Sequence, residues 1–78
     1  MNQKLVTLRK HIDAVDRRLV CGINKRLRIA KQIGVEKKRL SLPISNPKRE
    51  AVVLSKIKTD FMKSVFKLLI NESKRIQI

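Results

Sequence analysis

Three basic side chains, Arg26, Lys37 and Arg9, stand where their spacing gives them a use beyond solvation. A strict heptad begun at Leu5 passes through Leu8, Ile12, Val15, Leu19 and Gly22 and brings Arg26 onto the apolar seam of a helix. A guanidinium buried there needs an anionic partner. The alternative is that Arg26 drifts to the edge of the seam, because about 3.6 residues per turn do not match a repeat of about 3.5. Lys37 lies eleven residues further on, close to three whole turns, so it points the same way about 16 Å along the axis. Two long cations bending toward each other from that separation can bracket a small anion. Arg9 precedes Arg26 by seventeen residues, which puts it nearly 100° around the helix and about 25 Å away. It cannot join the same site within its own chain, but in an antiparallel pair of long helices the Arg9 of one copy reaches the Arg26 of the other.

The composition bounds what such a site can be. The chain has 78 residues, 20 Lys and Arg against 6 Asp and Glu, and a formal net charge of +14. A surplus this large creates a field that recruits anions, whether nucleic acid, an acidic membrane or a small polycarboxylate. Composition alone puts nucleic acid first. The hydrophobic share of 42%, however, is too high for a disordered basic tail, and only two Phe are present to stack on bases. One cysteine, Cys21, and one histidine, His11, make neither an intrachain disulfide nor a zinc site nor a nucleophile–base pair. No apolar run approaches the ~18 residues of a membrane span, and the N-terminus lacks the apolar stretch of a signal peptide, so the expected location is cytoplasmic. The length fits one domain, residues 1–78, which alone buries only about 60% of its unfolded surface. A partner is expected.

The elements that position the cations are helices. From Leu5, apolar residues recur in steps of three or four at Leu8, Ile12, Val15, Leu19, Ile23, Leu27, Ala30 and Ile33, a continuous stripe on one helical face. Thr7 is a candidate cap. A helix from about Gln3 to Leu40 would be about 57 Å long. The remaining residues are too few to cover it, and pairing along the stripe with a second copy is the economical solution. Gly34 inside this helix costs about 1 kcal/mol against Ala, which points to close approach of another segment. Asp13 and Asp16 read as structural, pairing with Arg17 or with the N-terminal half of the helix. The stretch Leu42-Pro43-Ile44-Ser45-Asn46-Pro47 breaks the helical text. A new helix opens there, with Asn46 as cap, Pro47 in the first turn and Glu50 just behind. Leu54, Ile57, Phe61, Val65 and Leu68 continue the period, and no Gly or Pro follows Lys48. Thr59-Asp60 is the only internal start signal. The second half is therefore either two helices with a tight turn near residues 58 to 60 or one fused helix of about 30 residues, and periodicity alone does not decide.

Four blocks in order carry a family resemblance across essentially the whole chain. Leu8-Arg9-Lys10-His11-Ile12-Asp13-Ala14-Val15-Asp16 resembles the L-R-x-x-I-D-x-h-D opening of the all-helical chorismate mutases, h being apolar. Arg26 with Ile29-Ala30 and Ile33-Gly34-Val35-Glu36-Lys37 resembles R-x-x-h-A-x-x-h-G-x-x-K. Pro43-Ile44-Ser45-Asn46-Pro47-Lys48-Arg49-Glu50 is similar to P-h-x-D-x-x-R-E. The run from Phe66 to Gln77, with Ser73 between, is similar to F-x-x-h-h-x-x-S-x-x-x-Q.

That resemblance implies an all-α fold, one long N-terminal helix plus two shorter ones, as an intertwined homodimer with shared active sites. It implies the Claisen rearrangement of chorismate to prephenate in phenylalanine and tyrosine biosynthesis, a pericyclic shift that needs no metal and no cofactor. Carried over, Lys37, Gln77 and Arg26 are the catalytic residues, and Arg9 of the second copy, Arg26, Lys37, Asn46, Arg49, Glu50, Ser73 and Gln77 bind substrate. Arg26 and Arg9 would grip carboxylates with help from Arg49. Lys37 and Gln77 would donate to the ether oxygen, Glu50 would accept from the ring hydroxyl, and Ser73 would contact a carboxylate. Two departures stand out. Asn46 replaces the usual Asp, keeping a cap and an acceptor but no charge. The interval from Glu50 to Ser73 is 23 residues, about nine fewer than the family's usual. A hairpin at Thr59 makes Ser73 and Gln77 overshoot Glu50 by about 7 Å or more, whereas a fused helix separates Glu50 and Ser73 by about 34 Å. Two other functions compete: an isochorismate pyruvate-lyase-like or inactive protein of the same fold, and a basic helical dimer that binds nucleic acid. The intact Arg49-Glu50 pair and Ser73 favour the mutase over the lyase. Nucleic acid ranks last, since Arg26 and Lys37 lie on or beside the apolar seam rather than along an exposed face.

Overall fold

The computed structural model describes residues 2–78 as three helices: α1 (Gln3–Arg39), α2 (Pro47–Ser55) and α3 (Asp60–Arg75). The helical text before the proline-containing break becomes α1. Its cap is Asn2, whose side-chain oxygen accepts from the Leu5 N–H at 3.2 Å, and not Thr7, which lies inside the helix. At the other end the N–H of Leu42 reaches the Lys37 carbonyl at 2.8 Å and the N–H of Ser41 reaches the Lys38 carbonyl at 3.2 Å. These two bonds are the pairing of a Schellman stop, which needs a left-handed residue just past the cap. Here Ser41 takes that conformation, with φ 57°, a position where glycine is the usual occupant.

The open question of the second half resolves as two helices. Thr59 Oγ1 accepts from the Met62 N–H at 3.2 Å and so caps α3. The last turn of α2 closes on Lys56 and Ile57, whose N–H groups bond to Val53 and Leu54 carbonyls. Asn46 caps α2 as its spacing implies, accepting from the Arg49 N–H at 3.1 Å, with Pro47 in the first turn. The α2–α3 hairpin then folds α3 back onto α1, and α3 packs against both other helices.

The molecule measures 59 × 24 × 15 Å, its long axis being close to the ~56 Å that 37 helical residues span. Among the described residues the buried ones are Ala30 and Gly34 of α1 and Ile70 and Ser73 of α3, two helices that pack against each other. Among the described residues no helix covers the N-terminal half of α1. Its stripe, Leu5, Leu8, Ile12, Val15, Leu19, Val20 and Ile23, is 36 to 58% exposed. The expected pairing of Asp13 or Asp16 with Arg17 is not found. The ion pairs among the described residues are Glu36–Arg39, Glu50–Lys74 and Glu72–Arg75. Asp13, Asp16 and Arg17 are all exposed, where a lone pair gains too little to hold two side chains together. Among the described residues no helix is long and apolar enough to cross a membrane.

Candidate active site

Where α3 crosses α1, the three helices and the α1–α2 loop line a half-open cavity of about 420 Å³, within the ~300–1,000 Å³ usual for small-molecule sites. Arg26 and Lys37 line it from α1, Asn46 from the loop, Arg49 and Glu50 from α2, Ser73 from α3 and Gln77 from just beyond α3. Seven of the eight residues singled out in the sequence thus meet in one place within one chain. The eighth, Arg9, is exposed on the uncovered half of α1 and does not line the cavity.

Several of the polar side chains are held by definable contacts. Arg26 Nη1 donates to Ser73 Oγ at 2.5 Å, and its guanidinium carbon stands 6.0 Å from the centroid of the Phe66 ring, at the outer limit of a cation–π contact. Ser73 is 7% exposed, and its own proton goes to the Leu69 carbonyl at 2.7 Å. Its hydroxyl therefore serves the cavity as an acceptor that aims Arg26. Contact with a substrate carboxylate, the role carried over by resemblance, would require it to release Leu69. Lys37 Nζ donates to the Ile44 carbonyl at 2.6 Å. The Schellman stop at Ser41 turns the loop back far enough to bring that carbonyl into reach. An ammonium has three donors, so this bond fixes its aim and leaves two for a ligand. The side chains of Arg26 and Lys37 are thus both tethered, one at each end of the cavity's α1 wall, consistent with three turns between them.

Gln77 explains Gly34. A Cβ built on Gly34 would lie 2.8 Å from both Cβ and Cγ of Gln77 and 2.9 Å from its Cα, closer than any carbon contact tolerates. The hairpin lays Gln77 on this bare patch of α1. Its Oε1 is buried without a hydrogen-bond partner among the described residues. Glu50 Oε1 accepts from Lys74 Nζ at 3.0 Å. Lys74 also lines the cavity, and sequence reasoning missed it. Its relation to Glu50 spans 24 residues and exists only once the hairpin register is fixed.

The electrostatics suit a dianion. Among the lining residues four are cationic, Arg26, Lys37, Arg49 and Lys74, against one carboxylate, Glu50. Many of the remaining cations are solvated. Away from the cavity, the Arg39 guanidinium beside Glu36 lowers the pKa of that exposed carboxyl, as expected for an i,i+3 ion pair.

Comparisons with known proteins converge on one family. A family model described as chorismate mutase type II matches residues 8–78. The chain is 29% identical over 86 aligned positions to the chorismate mutase of Methanocaldococcus jannaschii, covering 99% of this chain and 87% of that protein. It is 40% identical over 55 residues to the bifunctional chorismate mutase/prephenate dehydratase of Aquifex aeolicus, covering 70% of this chain but 15% of that larger protein. A solved structure of a conserved hypothetical protein from Pyrococcus furiosus matches with a TM-score of 0.89 and 37% identity, each chain being covered in full. With seven motif positions gathered around one cavity and a match that runs nearly end to end, the chain belongs to the chorismate mutase type II family.

Proposed function

We propose that this chain, as a single domain spanning residues 1–78, catalyses the Claisen rearrangement of chorismate to prephenate in aromatic amino acid biosynthesis. The observation that supports it most is the convergence of Arg26, Lys37, Arg49, Glu50, Ser73 and Gln77 on one cavity, although the hairpin that brings them there is short. Chorismate carries two carboxylates, an enolpyruvyl ether and a ring hydroxyl. In the rearrangement the ether C–O bond breaks as a new C–C bond forms, and the electrons shift within one molecule. The protein has to hold the compact chair-like conformer and stabilise the negative charge that grows on the ether oxygen.

The side chains divide that work. Arg26, aimed by Ser73, and Arg49 take carboxylates. Lys37 and the Gln77 amide donate to the ether oxygen. Glu50 accepts from the ring hydroxyl through its second oxygen. Asn46, whose side-chain oxygen is already taken by the Arg49 N–H, caps α2 and lines the wall. Arg9 completes the site from a second copy. The half-exposed stripe on the N-terminal half of α1 is the surface for that copy, since Leu5 to Ile23 have nothing to cover them in one chain. The cytoplasm, where the substrate's pathway runs, is the location that this reading assigns.

A bicyclic dicarboxylate shaped like the chair transition state tests the reading by titration calorimetry. The wild-type protein should bind it at least about 100-fold more tightly than chorismate, and Arg26→Ala and Lys37→Ala should each lose about 100-fold or more. Equal affinity for analogue and substrate, or indifference to both substitutions, refutes it.

A further inference from the structure

We propose that Lys74 is a positioning residue for Glu50, an inference that rests on the functional reading above. Among the described residues Glu50 is the only carboxylate lining the cavity, and Arg26, Lys37 and Arg49 line it as well. Asn46 shares the wall as a neutral amide whose oxygen is already committed to the α2 cap. A carboxylate left free in such company would swing onto the nearest guanidinium, neutralising a cation needed for the substrate and withdrawing the only charged acceptor for the ring hydroxyl. Lys74 prevents this. It holds Oε1 from the opposite helix at 3.0 Å, leaving Oε2 to accept. The pair is sheltered, with side chains 34 and 26% exposed, so it is less screened than an ion pair in open solvent. The hairpin register alone creates it: α3 returns so that Lys74 stands across from Glu50, between Ser73, which aims Arg26, and Gln77, which touches Gly34. One turn of α3 and its extension thereby orients three different groups of the cavity.

A bond to the ring hydroxyl is made in ground and transition states alike, so its loss raises KM and spares kcat. Steady-state chorismate turnover by Lys74→Met should show KM raised about tenfold with kcat within about twofold of wild type. Lys74→Arg should restore KM. In a Glu50→Gln background the Lys74→Met change should add nothing. A lower melting temperature and lower kcat with unchanged KM would make Lys74 a strut between α2 and α3 and overturn the inference, as would an unchanged KM alone or additive effects in the double variant. Absence of wild-type turnover overturns the functional reading and this inference with it. Wild-type turnover with an unaltered Lys74→Met KM overturns this inference alone.

Discussion

Replacing Gly34 by alanine separates the stability of this fold from its activity. In a helix the substitution gains about 1 kcal/mol from propensity. The added Cβ would meet Gln77 Cβ and Cγ at 2.8 Å and Cα at 2.9 Å, about 0.6–1.2 Å inside an ordinary carbon–carbon contact of ~3.5–4.0 Å. Because one of those atoms is backbone, no rotamer change relieves the overlap, and the segment after α3 must move out by about 1 Å. Overpacking of this kind costs about 1–3 kcal/mol, so the net loss of stability is about 0–2 kcal/mol and the variant still folds. Activity suffers more. Gln77 is displaced from the ether oxygen by about 1 Å, a misplacement that costs about 100-fold in rate. Thermal melting at fixed protein concentration together with kcat for chorismate measures both quantities. A folded Gly34→Ala protein with kcat within about threefold of wild type would refute the claim that Gln77 acts from this close seat on α1.

Three further outcomes follow from the same geometry. Arg9→Ala and Arg26→Ala proteins should each be inactive, yet an equimolar mixture refolded together should regain about one quarter of wild-type activity, since half the dimers are mixed and each mixed dimer has one intact site; no regain contradicts the shared site. Leu19→Asp, at a position 57% exposed in the single chain, would be nearly neutral for a monomer, but should give a monomer without activity by sedimentation and turnover if the α1 stripe is the dimer seam. Ser41→Gly should raise stability in urea titration by about 0.5–1 kcal/mol, by relieving the left-handed serine at φ 57°.

Much of this arrangement is legible in the sequence because strong local signals coincide with it. Pro43 keeps the chain from running on as helix, and Asn46-Pro47 begins the next one with a cap and a first-turn proline. Gly34 announces a close approach, and only the identity of the approaching residue, Gln77, needed coordinates. The hairpin was harder. Thr59 offers a single cap with no glycine or proline beside it, so continuous helix and hairpin fit the periodicity equally, and packing of α3 onto α1 makes the choice. The stop at Ser41 carries no sequence mark, since serine is not the usual left-handed residue. Asp13 and Asp16 read as structural, pairing with Arg17 or with the N-terminal half of the helix, and their exposure leaves the pairing with Arg17 unmade. Lys74 could not be found from the chain at all: its meaning depends on which residue the hairpin sets opposite it. The net charge of +14, the loudest feature of the composition, proved the least specific, for the placement of a few cations around one cavity carries the functional argument.

The most direct measurement of the central claim is the appearance of prephenate from chorismate, followed by proton NMR, with micromolar purified protein. The account predicts conversion proportional to protein concentration, well above the spontaneous rate, and reduced about 100-fold or more by Lys37→Ala. Conversion at the spontaneous rate, or a product other than prephenate, would contradict it.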